Sequence, residues 1–169
     1  MGNVDFNRTW QEYVEGFGPI GGDHWLGLKH VQEITDNDRN YALIFILITP
    51  SGEIDYPKYN DFKMGGSAEG YRFSINPNVV DRKSDDCLSP PQGAPFSTYD
   101  NDVDGSTLVN CAQRYGAGWW YIGEDCSPVC SPLSLLSSAS DLWSGSFKDA
   151  FWSTDSGNVS ISKIEAYFI

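Results

Sequence analysis

The sequence predicts an α+β domain, an antiparallel sheet with short helices followed by a loop-rich half tied by disulfides. Three observations predict it. The first third carries two short helical patterns. The stretch from Tyr41 to Ile75 carries alternating or continuous apolar segments. From about Asn76 regular patterning fades into Pro-, Ser- and Gly-bearing loops that hold all four cysteines. With 169 residues, 40% apolar and 14% aromatic, the chain is long enough for one domain with a real core and too apolar for disorder.

Thr9 is placed to cap a helix over Trp10 to Phe17. Glu12 three residues on completes a capping box, and Gly16 and Gly18 stop the helix. Asp23 is placed to cap a second short helix from His24 to Ile34. Tyr41 to Thr49, YALIFILIT, reads as a buried strand and is too short to span a bilayer. Pro50, Ser51 and Gly52 turn it into a hairpin with a strand from Ile54 to Phe62. A third strand runs from Tyr71 to Ile75. Alternation in these segments predicts antiparallel pairing with one buried face. The last run, VSISKIEAYFI, reads as one terminal strand with a slip near Ser162. Residues 1–75 and 159–169 thus form the sheet part, and residues 76–158 the loop part.

The net charge of −12 argues against nucleic acid and against an anionic membrane surface, since both need clustered Lys and Arg. A divalent cation suits such a chain. The start, MGNVDFNRT, lacks the basic and apolar regions of a signal peptide, and Phe6 stands where myristoylation requires Ser or Thr. Cys87, Cys111, Cys126 and Cys130 are an even set, with Cys126 and Cys130 spaced C-x-x-x-C. The two histidines, His24 and His30, are remote from them, so disulfides in an oxidising compartment are expected rather than zinc. Sequons at Asn7 and Asn158 agree with secretion.

One segment carries the chemistry. FSTYDNDVDGSTLVNC sets Asp100, Asp102 and Asp104 at alternate positions before Gly105. Alternate carboxylates in a tight turn can converge on a hard cation such as calcium (Ca2+), which takes six to eight oxygens. An EF-hand is excluded: counting from Asp100, position twelve is Cys111, where a bidentate glutamate is required. On the loop alone a calcium site and a solvated acidic turn remain open.

The loop runs into NCAQRYGAGWWYIGEDC. It follows GNVDFNRTWQEYVEGFG, then HWLGLKHVQEIT, then YNDF at 59–62. In order and spacing these motifs resemble the fibrinogen C-terminal-like domain of fibrinogen chains, ficolins, tachylectins, tenascins and angiopoietins. The resemblance covers almost the whole chain. It implies a central twisted antiparallel sheet beside a loop-rich subdomain with calcium and a ligand pocket. The family's N-terminal subdomain, which precedes G-x-V-D-F, has no counterpart, so the chain is expected to be a truncated member. Oligomers would form through regions outside it.

The resemblance also implies roles. Asp102 and Asp104 give side-chain oxygens to calcium, and the carbonyls of Ser106 and Leu108 complete the shell. The interval from Phe96 to Cys111 is one residue longer than usual, so Thr107 and Val109 are alternatives for the carbonyls. Asp100 is an outer acidic residue or a turn-forming side chain. Cys111 pairs with Cys126, a closure worth about 3 kcal/mol for a loop of about fifteen residues. Cys87 and Cys130, which most vertebrate members lack, are expected to pair with each other. The pocket is expected to use a cis peptide at Asp125–Cys126, the Tyr115 ring, Ser127 and Trp152, while Trp119 and Trp120 pack in the core. Cys111 to Cys126 is two residues longer than usual, through IGED.

No nucleophile motif surrounds any serine, and both histidines lie far in sequence from the acidic loop, so no enzyme is expected. The leading expectation is a secreted calcium-dependent lectin-like domain that binds acetylated glycans, with a role in innate immunity. The alternative is a protein-binding adhesion or receptor-ligand module whose partner is a cell-surface protein. A degenerate fragment with no binding role is the third reading.

Overall fold

The computed structural model describes residues 4–76, 86–126, 151–154, 157–160 and 163–169. Its frame is an antiparallel sheet built on one strand. Strand β1 (Tyr41–Ile48) turns through residues 49–53 into β2 (Ile54–Asp55), pairing Ile48 with Ile54. The predicted strand from Ile54 to Phe62 is broken at Tyr56 and Pro57, because proline has no N–H for the ladder. It resumes as β3 (Lys58–Met64), which pairs with the first half of β1. Strand β4 (Phe73–Ser74) adds to β3 and is shorter than the predicted Tyr71–Ile75.

Two helices precede the sheet. Helix α1 (Trp10–Glu15) begins as predicted: the Thr9 side chain accepts the Glu12 N–H, and the Glu12 carboxylate accepts the Thr9 N–H at 2.9 Å. Helix α2 (Leu28–Thr35) starts later than predicted, with Gly27 and not Asp23 as its N-cap. The reason lies in residues 17–25. Phe17 and Trp25 exchange backbone hydrogen bonds of 3.0 and 2.8 Å, and the Trp25 indole donates to the Tyr13 carbonyl at 2.9 Å, so the segment is held extended. The buried Thr35 hydroxyl accepts the Met64 N–H at 3.2 Å, which ties the end of α2 to β3.

The loop-rich half holds helix α3 (Cys111–Tyr115), capped by Asn110, whose side chain accepts the Gln113 N–H at 2.7 Å. The C-terminal run is two strands rather than one. β5 (Phe151–Thr154) pairs with β6 (Gly157–Ser160), and β7 (Lys163–Phe168) pairs with β1 from Leu43↔Phe168 to Ile48↔Lys163. The two strands lie on either side of the slip expected near Ser162, where the apolar positions change from odd to even; the alternation marks the break but not the partner that each strand takes.

One core joins both halves. Phe6, Tyr13, Leu28, Leu47, Tyr59 and Phe73 come from the sheet part, and Phe96, Trp119 and Trp120 from the loop part. Tyr13 sits at the junction. Its hydroxyl donates to the Phe6 carbonyl at 2.7 Å and accepts the Gly118 N–H at 2.9 Å. Its ring lies 5.1 Å from Phe96, which meets Trp120 edge-on at 4.8 Å. Trp119 and Trp120 are thus core residues, and the Trp120 indole is satisfied by the Tyr71 carbonyl at 2.8 Å.

Candidate functional site

The acidic loop rises from this junction. Ser97 and Trp119 exchange two backbone hydrogen bonds, at 3.0 and 3.1 Å, and Thr98 and Asn101 close the next turn. These bonds fix where Asp100 to Asp104 emerge. Asp100 then reaches back to α1: its Oδ1 accepts the Trp10 N–H and the Thr98 hydroxyl, each at 2.8 Å. The first N–H of a helix has no partner within the helix, and a carboxylate there also meets the positive end of its dipole. Asp100 is therefore an anchor between the loop and α1.

Asp104 is the loop's buried carboxylate, 5% exposed. Its Oδ1 accepts the Ser106 N–H at 2.8 Å, and its Oδ2 accepts the Cys111 N–H at 2.7 Å. Gly105 between them takes a left-handed φ of 83°, which lets the chain fold back over the carboxylate. Asp102 is exposed beside it. Loss of water around the carboxyl and then the neighbouring Asp104 charge push its pKa upward, while the Asp104 N–H and the Asn110 side chain favour the charged form. Two carboxylates are thus brought together at a cost.

Carbonyl oxygens follow this pair along the loop. Among the described residues the carbonyls of Ser106 and Leu108 accept no hydrogen bond, and neither do those of Thr107 and Val109. Two adjacent carboxylates with uncommitted carbonyls close by suit a calcium ion in donor type. Asp104 also lies near Cys111 and Cys126, but those two sulfurs are joined in a disulfide and offer no thiolate.

The opposite wall of the loop is the turn of residues 122–126. The Cys111–Cys126 disulfide is formed, with Cα atoms 5.4 Å apart. The expected cis bond at Asp125–Cys126 is absent: no described peptide is cis. The chain turns instead through left-handed residues, Gly123 at φ 79° and Cys126 at φ 57°, closed by a 3.2 Å bond from the Cys126 N–H to the Gly123 carbonyl. The Arg114 guanidinium donates to the Asp125 carbonyl at 3.0 Å. Glu124 crosses to the acidic loop, where its carboxylate accepts the Thr107 N–H at 2.9 Å.

Tyr115, expected to line a ligand pocket, is half-buried, and its ring stacks on Tyr121 at 5.7 Å and 15°. The Arg114 guanidinium stands 5.8 Å from the same ring. Trp152 lies in β5 opposite Val159, and Asn158 lies in β6 opposite Ser153. Ser127 is outside the described residues. Cys87 is disulfide-bonded, and its expected partner Cys130 is also outside them. Asn7 is exposed, as a glycan acceptor must be. A polar cavity of about 460 Å³ lies at the sheet, with Tyr41, Lys58, Asp61 and Asn76 in its wall, and involves none of the expected site residues. The structure therefore assembles Asp102, Asp104, Ser106, Leu108, Asp125 and Cys126 in one region.

Sequence reasoning missed two residues of this region. Asp100 bonds to a helix ninety positions away, and no local signal announces that. Glu124 lies in IGED, the segment where the chain outruns the family pattern, and that extra length was the available signal.

Comparison with known proteins agrees with the motifs. The family model for fibrinogen beta and gamma chains, C-terminal globular domain, matches residues 1–131. Mouse angiopoietin-4 is 37% identical over 120 residues, covering 71% of this chain and 23% of that protein. Human angiopoietin-related protein 1 is 34% identical over 120 residues, covering 71% of this chain and 24% of that protein. The chain thus spans about a quarter of the length of these curated relatives. The fibrinogen-like globe domain of human ANGPTL2 superposes with a TM-score of 0.83 at 28% identity, covering 99% of this chain and 75% of that one. Lamprey fibrin D-dimer, solved with a Gly-His-Arg-Pro-amide peptide, shares the fold at TM-score 0.75 and 22% identity, covering 99% of this chain and 57% of that one.

Proposed function

Because the chain belongs to the fibrinogen C-terminal domain family, we propose that it is a secreted protein-binding module of the receptor-ligand kind, with calcium ordering its acidic loop. It is not an enzyme: its relatives and structural neighbours are fibrinogen, angiopoietin and angiopoietin-like globes. The observation that carries the protein-binding reading is the similarity to angiopoietins and an angiopoietin-related protein, at 34–38% identity. Tyr115 points the same way. Its ring is engaged by Tyr121, which disfavours the glycan-lectin reading. The disulfide at Cys111–Cys126 and the bonded Cys87 support an oxidising, extracellular compartment.

Asp102 and Asp104 would hold the ion, with carbonyls from Ser106 to Val109. Its chemistry there is charge neutralisation and loop ordering. The protein's own part is to supply the fixed frame. Asp100 anchors the loop to α1, Asp104 folds it over its own carboxylate, and the disulfide sets the far wall.

Two measurements test this. Calcium at a hundred times its Kd adds about 2.7 kcal/mol to a protein that binds it only when folded. That is a rise of several degrees in Tm for a domain of this size. Asp102→Ala should remove the rise, and a well-folded sample with no calcium response sinks the metal assignment. For the partner, the labelled chain is applied to cells pretreated with protease or with glycosidase. Binding lost to protease and kept after glycosidase supports a protein partner. Binding to N-acetylated sugars on a glycan array, without such a protein, restores the lectin reading.

A further inference from the structure

Every backbone N–H of the acidic loop from Ser106 to Val109 is taken by a side-chain oxygen. Asp104 takes that of Ser106, Glu124 that of Thr107, and the Ser106 hydroxyl those of Leu108 and Val109, both at 3.2 Å. The carbonyls of the same four residues accept no hydrogen bond among the described residues. The donors are thus satisfied by side chains, and the carbonyls are not engaged by any described residue.

Glu124 holds the middle of this arrangement from outside the loop. Its Oε2 accepts both the Thr107 N–H at 2.9 Å and the Thr107 hydroxyl at 3.1 Å, and its carbonyl accepts the Ser106 hydroxyl at 2.9 Å. The turn that carries it is itself fixed by the Cys111–Cys126 disulfide and by Arg114 on the Asp125 carbonyl. A trans peptide unit is planar, with C=O and N–H pointing opposite ways. Pinning the Thr107 N–H toward Glu124 therefore turns the Ser106 carbonyl away from Glu124.

We propose that Glu124 is a positioning residue that fixes the direction of the Ser106 carbonyl for calcium; the proposal rests on the calcium reading above. Glu124 does not ligate the ion. It acts through the peptide it holds.

The test uses the full chain as wild type, Glu124→Ala and Glu124→Gln, with calcium chloride as the only ligand. Amide hydrogen exchange at Thr107 is followed in calcium-free buffer, and the calcium Kd is measured by titration calorimetry. Glu124→Ala should speed Thr107 exchange and raise the Kd, each about tenfold, the scale of one charge-assisted hydrogen bond. Glu124→Gln keeps an oxygen acceptor and should recover most of both. A Gln variant that loses as much affinity as the Ala variant overturns positioning and assigns the effect to the charge. Unchanged Thr107 exchange in Glu124→Ala overturns the hydrogen-bonded latch. A wild type that binds no calcium but shows the exchange effect sinks the calcium reading while the latch stands.

Discussion

Below the acidic loop, Tyr13, Phe96 and Trp120 pack as rings about 5 Å apart, buried from water. On its rim, Asp102, Val103, Thr107 and Leu108 stand exposed, Leu108 at 75%. The base is held by apolar packing, which is indifferent to ions. The rim is held by carboxylate-to-amide hydrogen bonds, which respond to charge. A cation bound as proposed would therefore act on the rim, while the base would keep its place without it. The two regions meet at Asp104, which belongs to the loop by sequence and to the core by burial.

Asp104 is where the comparison can be broken with the largest effect. Asp104→Ala leaves the Ser106 and Cys111 N–H groups without their acceptor, and the Cys111 group is buried. Orphaned buried donors cost about 1–3 kcal/mol each, so a loss of about 3 kcal/mol is expected in calcium-free buffer. Asp102→Ala removes a like charge from beside Asp104 and should leave calcium-free stability unchanged or slightly higher. Urea melts with a chelator present decide this. Equal losses in the two variants would erase the distinction between rim and base.

A smaller effect is expected from the base itself. A Cβ added at Gly118 would meet the Tyr13 and Phe96 rings at 2.8 Å, well inside contact distance. Neither ring has room to retreat, since Tyr13 is fixed at its hydroxyl and Phe96 lies against Trp120. Overpacking of this kind costs about 1–3 kcal/mol, so Gly118→Ala should lower the unfolding free energy read from urea melts by about 2 kcal/mol. The loss should be the same with and without calcium. A loss that calcium reverses would mean that the base is not independent of the rim.

Most of the frame is legible in the sequence, and the failures have physical causes. β1 is visible because its apolar run ends in a Pro-Ser-Gly turn, and α1 because Thr9 and Glu12 stand three apart before an apolar stretch. The start of α2 is not visible. Asp23 is a good local cap, but the pairing of Phe17 with Trp25 and the indole bond to Tyr13 override it. The terminal run shows its break as the phase change near Ser162, but period-two alternation does not say which strand each piece pairs with. In the site, the motif identified Asp102 and Asp104 from neighbours in the chain. The bonds that shape the loop run from Asp100 to α1 and from Glu124 to Thr107, and long-range pairs leave no periodic trace.

The smallest expected effect lies at the cap that α1 shares with the loop. The Thr9 backbone N–H, then the Thr9 hydroxyl, hold the Glu12 carboxyl below its usual range. A group whose pKa is lowered on folding contributes stability above its unfolded value, about 4.3 for glutamate, and loses it as pH falls through the folded value. Thr9→Ala should therefore cost about 1 kcal/mol at pH 7. Its gap from wild type should narrow as pH drops below about 4, where Glu12 takes up its proton in both proteins. Asp100 holds the next donor of the same helix end, so Trp10 stays capped in the variant. Thermal melts of the pair across pH 3 to 7 give the gap directly. A constant gap would assign the cap to the Thr9 hydroxyl alone. A narrowing one shows that the Glu12 charge takes part in capping α1, beside the Asp100 carboxylate that ties the same helix end to the loop.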